Sequence, residues 1–168
     1  DSAPSAGSTF WVEVPLTASE APPVHRRGRG ARARGHRVLL VEDDELTWKV
    51  SVMLLESLGC DVTCVHDGAA AVELCARLSF DLVLMDCQMP VMDGFQATHA
   101  IRAREALSET RERVPIVALT ANAMQGDRDR CLAAGMDSYL AKPFKRQQLE
   151  AILVQHGCSP LPRGSVQP

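Results

Sequence analysis

The sequence predicts an α/β fold, a doubly wound parallel sheet with helices on both faces, built from five β-then-α units in series. Two observations predict it. Short apolar runs such as Val38-Leu39-Leu40-Val41 and Leu82-Val83-Leu84-Met85 have the composition of strands buried on both faces. Between such runs stand segments whose apolar residues recur at helical spacing, several of them closed by glycine. At 168 residues, 46% of them hydrophobic and 23% charged, the chain is long enough for one domain with a substantial core.

Each element has its own signal. Val38–Val41 is the first strand. Residues 45–58 form the first helix, with Leu46, Val50, Leu54 and Leu58 as its core stripe and Gly59 closing it. Trp48 is then expected to point away from the core. Asp61–Val65 is the second strand, and residues 68–78 the second helix, with Ala71, Leu74, Cys75 and Leu78 on one side. Leu82–Met85 is the third strand, ending at Asp86, and a helix follows over 94–104. Val114–Leu119 is the fourth strand, its Pro115 near the entry where a missing N–H is tolerated. A helix over 125–134 stops at Gly135, Ser138–Leu140 is a short fifth strand, and residues 146–156 are the last helix.

Composition excludes several functions. Residues 1–37 carry six arginines and three acids, whereas 38–156 carry eleven basic and eighteen acidic residues. An acidic body is a poor nucleic-acid binder, because phosphate contacts need clustered Lys and Arg. No apolar run approaches the roughly 20 residues of a membrane helix. Residues 17–36, rich in Arg, Gly and Pro, cannot bury a core and read as a flexible linker. Residues 157–168 read as a disordered tail. The start, Asp1 followed by small residues, reads as a cut inside a longer protein. Six cysteines without a C-x-x-C pair indicate a reducing, cytosolic compartment.

Ligands of open parallel sheets bind beyond the carboxyl ends of the strands. Strand one ends in Glu42-Asp43-Asp44, strand three in Asp86 and strand four in Thr120, and strand five is followed by Lys142-Pro143. Crowded carboxylates repel one another, and a hard divalent cation relieves the repulsion. Lys and Thr beside them suit the oxygens of a phosphoryl group, so the set fits phosphoryl transfer to a carboxylate.

Three segments carry a family resemblance: VLLVEDDE at 38–45, LVLMDCQMPVMDGFQAT at 82–98, and PIVALTANAMQGDRDRCLAAGMDSYLAKPF at 115–144. In their order and spacing they resemble the receiver (response-regulator) domain of two-component signalling, of the kind attached to hybrid sensor histidine kinases. The resemblance spans residues 37–156. It implies a flavodoxin-like (βα)5 sheet with strand order 2-1-3-4-5. Asp86 would take the phosphoryl group from a phosphohistidine. Glu42, Asp43, Asp86 and the backbone carbonyl of Gln88 would hold Mg²⁺ or Mn²⁺. Lys142 would pair with a phosphoryl oxygen. Thr120 and Tyr139 would be the switch residues, and the Lys142–Pro143 peptide would be cis. Gln88 and Asn122 are not carboxylates, which implies a slowly hydrolysed phosphoryl mark.

The implied partners are the dimerisation and phosphohistidine domain of a histidine kinase, in cis or in trans, and a histidine phosphotransfer protein. Trp48, exposed beside the rim, is the expected docking contact. Nucleic acid and direct membrane insertion are not expected. The parent would be a histidine kinase, membrane-anchored or not, with this domain in the cytoplasm. Residues 1–16, with GSTFWVEVPL at 7–16, resemble the last strand of a histidine kinase ATP-binding domain. Thus the fragment lacks the kinase core, and its own chemistry would be self-phosphorylation and slow dephosphorylation. The alternative is a stand-alone response regulator, although the eleven residues after Gly157 are too few for a helix-turn-helix output. An aspartyl-phosphate phosphatase needs a second Asp where Gln88 stands.

Overall fold

The computed structural model describes residues 35–108, 112–121 and 125–158. The expected kinase remnant (1–16), most of the linker, Asn122, and the tail from 159 lie outside the described residues.

Ten elements alternate along the chain: β1 (Arg37–Val41), α1 (Glu45–Ser57), β2 (Asp61–Val65), α2 (Gly68–Arg77), β3 (Leu82–Asp86), α3 (Gly94–Ala106), β4 (Ile116–Thr120), α4 (Gln125–Ala133), β5 (Ser138–Ala141) and α5 (Arg146–Gln155). The strands form one parallel sheet in the order β2-β1-β3-β4-β5. That is the predicted fold class and strand order.

Side chains alternate across each strand, so every central strand feeds two cores. Leu39, Val41, Val83, Met85, Ile116 and Ala118 face α2, α3 and α4. Val38, Leu40, Leu82, Leu84, Val117 and Leu119 face α1 and α5, where Leu55, Leu58, Leu149 and Leu153 close the layer. This double burial is why those strands read as unbroken apolar runs.

Helix starts follow their capping residues. Asp44 accepts the Thr47 backbone N–H at 2.8 Å and caps α1. Asp93 caps α3 in a reciprocal capping box with Gln96. At the far end of α1, Gly59 adopts φ +87°, a left-handed turn that glycine takes without a Cβ penalty.

The core stripe of α1 differs from the expected one. Leu46 and Val50 are exposed, and the buried face is Ser51, Leu55 and Leu58, flanked by half-buried Trp48, Val52 and Leu54. The physical reason is angular. At 3.6 residues per turn, steps of four drift by about 40° each, so 46, 50, 54 and 58 wind around the helix. Residues 48, 51, 55 and 58 keep to one side. Ser51 disguises that side in the sequence; its hydroxyl donates to the Thr47 carbonyl at 2.7 Å, which satisfies a buried polar group. Trp48 is therefore not the outward-pointing residue it was expected to be. It packs on the α1/α5 core, and its ring meets His66 at 5.4 Å between centroids.

The folded body also runs past 156. Cys158 is buried, and its N–H donates to the Leu153 carbonyl at 2.7 Å.

Candidate functional site

The order 2-1-3-4-5 reverses direction between β1 and β3, and their carboxyl ends lie side by side at that switch point. Glu42 and Asp43 follow β1, and Asp86 is the last residue of β3. Thr120 ends β4, and Lys142 follows β5. Tyr139 lies within β5, half-buried against the α2–α4 core. The parallel register thus gathers on one rim residues that are a hundred positions apart in the chain.

Backbone contacts hold the rim in place. Glu42 N–H donates to the Val65 carbonyl at 3.0 Å, Cys87 N–H to that of Leu119 at 3.0 Å, and Lys142 N–H to that of Thr120 at 2.7 Å. The Lys142–Pro143 peptide is cis. Gly94 sits against the main chain of Asp86. A Cβ there would stand 2.0 Å from the Asp86 carbonyl oxygen, so any other residue would push α3 off the site.

The Lys142 ammonium is the centre of the charge arrangement. It donates to Asp86 Oδ2 at 2.7 Å and lies 2.6 Å from Glu42 Oε2. Asp86 Oδ1 accepts the Gln88 backbone N–H at 3.1 Å. Burial works against the lysine charge, but the hydrogen bonds and charges of Asp86 and Glu42 outweigh it and hold its pKa above the ordinary value. Glu42 is buried, and burial lifts its carboxyl to about 7; Lys142 opposes the rise and the negative charge of Asp86 adds to it. Despite the nearby ammonium, Glu42 Oε2 has no hydrogen bond of good geometry.

That poorly paired oxygen bears on whether a metal fits. Glu42, Asp43 and Asp86 each offer a carboxylate oxygen, all within 4.8 Å of one another, and two of the three residues are buried. Three carboxylates face one ammonium. The donors are hard oxygens, of the type that Mg²⁺ and Mn²⁺ prefer. Residue types and spacing therefore fit a small divalent cation with waters completing its shell.

Beside the carboxylates opens a cavity of about 570 Å³, lined in part by Asp43, Gln88, Met89, Thr120 and Arg130. Sequence reasoning missed two features of its surroundings. The contact between Gly94 and Asp86 is tertiary and leaves no local signal. Val91 stands 96% exposed at φ +68°, with Met92 N–H donating to the Pro90 carbonyl at 2.8 Å, an arrangement of the strained γ-turn type. Nothing in Pro-Val-Met announces a left-handed valine.

The fold and rim together define a doubly wound α/β protein with an acidic, lysine-bridged pocket at its switch point. The chain belongs to the response regulator receiver domain family, whose model matches residues 38–154. The sensor protein GacS of Pseudomonas syringae pv. syringae is 46% identical over 123 residues. Those cover 73% of this chain but 14% of GacS, so the chain spans a small part of the curated relatives it matches. Hybrid signal transduction histidine kinase K of Dictyostelium discoideum is 33% identical, over 88% of this chain and 13% of its own length. Among solved structures, the receiver domain of a sensor histidine kinase from Pseudomonas aeruginosa, with a magnesium ion coordinated in its active site cleft, is 52% identical. It superposes with a TM-score of 0.66, over 73% of this chain and 98% of that one. This is a receiver domain of the type found in hybrid histidine kinases.

Proposed function

We propose that Asp86 accepts a phosphoryl group from a phosphohistidine in a Mg²⁺-dependent reaction, and that the phosphorylated domain changes conformation or passes the group to a histidine phosphotransfer partner. The observation that carries this reading is the bridging of Asp86 and Glu42 by Lys142 at the carboxyl ends of the strands. One P–O bond forms to an Asp86 carboxylate oxygen and one P–N bond to the donor imidazole breaks. Mg²⁺, or Mn²⁺ in its place, held by Glu42, Asp43, Asp86 and the Gln88 carbonyl, would supply charge neutralisation for the transferring oxygens. Lys142 exchanges its carboxylate contact for a phosphoryl oxygen. The Thr120 hydroxyl donates to another, and Tyr139 follows the displaced β4 end.

Partners are inferred from the outer face of α1. Leu46 and Met53 are 72% and 70% exposed and, with Val50, form an apolar stripe beside the rim. Such a stripe suits a helical partner that presents its phosphohistidine to Asp86. Trp48, half-buried on the opposite side of this helix, packs inward and lies outside the stripe. Relatives support the partner class. A crystal structure pairs the histidine phosphotransfer signaling protein Ypd1 of Saccharomyces cerevisiae with the receiver domain of Ssk1; the match is 29% identical with a TM-score of 0.69. Among the described residues no helix is long and apolar enough to cross a membrane.

The test is intact mass after incubation with Mg²⁺ and acetyl phosphate. One added phosphoryl group is expected, absent with a chelator and absent in Asp86→Asn. No addition from either acetyl phosphate or a phosphorylated kinase, under conditions where Mg²⁺ binds, overturns the reading.

A further inference from the structure

Two cysteines meet directly behind the proposed phosphoacceptor. Cys87 follows Asp86 at the end of β3, and Cys131 projects from α4. Their sulfurs are 3.9 Å apart, across 44 positions of sequence. Both are buried, at 5% and 1% exposure, yet both line the cavity that opens beside the carboxylate cluster. The pair is thus shielded from large reagents and open to small ones. Among the described residues no cysteine is in a disulfide.

We propose that Cys87 and Cys131 form a redox modification site. A small hydroperoxide entering the cavity converts the pair to a disulfide, which fastens α4 to the end of β3. The thiol of Cys87, the more exposed residue of the two, attacks the peroxide oxygen and passes its proton to the departing hydroxide. It does so against burial and the neighbouring Cys131 and Asp86, which hold that thiol in its protonated form. The O–O bond breaks, one water leaves, and a sulfenic acid remains. The Cys131 sulfur then attacks the sulfenic sulfur, the S–O bond breaks, an S–S bond forms, and a second water leaves. Two electrons pass from the thiols to the peroxide, and a thiol reductant reverses the change. A disulfide needs about 2.05 Å between sulfurs, so the two must close by roughly 1.9 Å.

The Cys87 side of this movement is constrained. Its N–H is held by the Leu119 carbonyl at 3.0 Å, and its own carbonyl accepts the Gly94 N–H at 3.3 Å. Cys87 is therefore fixed to β4 and to the start of α3, and closure falls on α4. That helix begins five residues after Thr120. Resting on the phosphoacceptor reading, the consequence is specific. With α4 fastened to the end of β3, the inward movement of Thr120 is opposed, and phosphoryl uptake slows.

Trypsin makes the test unambiguous, because the peptides 78–102 and 131–145 each contain a single cysteine, Cys87 and Cys131 respectively. The full chain is treated with hydrogen peroxide, digested without reductant and analysed by mass spectrometry. Its phosphoryl uptake from acetyl phosphate is measured in parallel. The expected result is a cross-linked 78–102/131–145 species, with uptake slowed several-fold and restored by dithiothreitol. Cys131→Ala should form no cross-link and take up phosphate at the same rate with or without peroxide; that rate also shows separately whether Asp86 accepts phosphate at all. Cys87→Ser provides the same control from the other side. Other cysteines reacting while this cross-link stays absent overturns the site. A cross-link that leaves the uptake rate unchanged overturns the regulatory role.

Discussion

At the amino ends of β4 and β5, Arg102 donates to Glu105 at 2.6 Å, to Asp137 at 2.8 Å and to the carbonyls of Val114 and Gly135, both at 2.9 Å. Arg113 also reaches Asp137, and the Asp137 and Glu105 carboxylates accept the backbone N–H groups of Ile116 and Val114. Two cations answer two anions, and each carboxylate oxygen named has a donor. At the carboxyl ends of the same sheet the same residue types are out of balance. Three carboxylates crowd one lysine, and Glu42 Oε2 meets its ammonium at 2.6 Å without good hydrogen-bond geometry. The first cluster spends its charges on holding the loops ahead of β4 and β5. The second leaves charge unsatisfied where a cation and a phosphoryl group would fit. Unbalanced charge, more than the presence of charge, separates the reactive end from the structural one.

Breaking each cluster should therefore have opposite results. The largest effect is expected from Asp86→Asn. It should abolish phosphoryl uptake while leaving the thermal midpoint equal or higher, since one of three repelling carboxylates is gone; intact mass and calorimetry check both. Arg102→Ala should cost about 3 kcal/mol in urea unfolding, because it leaves two partly buried carboxylates without their common partner. Uptake per folded molecule should persist in that variant.

Glu42 sharpens the comparison further. Its carboxyl titrates near 7 in the folded domain against an ordinary 4.5, so the folded state holds the extra proton between those values. Metal-free protein should gain stability as pH falls from about 7 to 4.5 and lose it as pH rises back through 7. Mg²⁺ binding should weaken over the same fall, as protons compete for the oxygen. Glu42→Gln should remove that slope and raise metal-free stability at pH 8 by about 1 kcal/mol, as measured by urea unfolding in a chelator. The smallest effect is expected from Val91→Gly. Relief of the left-handed valine should add at most about 1 kcal/mol, partly offset by glycine's freedom when unfolded. A thermal midpoint that falls instead would show the γ-turn to be unstrained.

Most of this fold was legible because its strands are buried on both faces, which writes Val38–Val41 and Leu82–Met85 as continuous apolar runs. The rim was legible because chemistry sits at strand ends, and Glu42, Asp43, Asp86, Thr120 and Lys142 each close a strand or follow one. The face of α1 was misread. Leu46 and Val50 are apolar for the outside and Ser51 is polar on the inside, a reversal that hydrophobic spacing cannot register. The close approach of Gly94 to Asp86, the meeting of Cys87 with Cys131 and the Arg102 network all join distant segments, so no local pattern encodes them.

The bond from Lys142 N–H to the Thr120 carbonyl joins the ends of two neighbouring strands, which are also in register at Thr120 and Ala141. They leave the sheet yoked together. If Thr120 is drawn toward a phosphoryl group as proposed, the pull would pass sideways to the backbone of Lys142 and back along β5 to Tyr139. Under the proposed function the rim would work as a crank, turning a displacement at a single residue into the travel of a whole strand end.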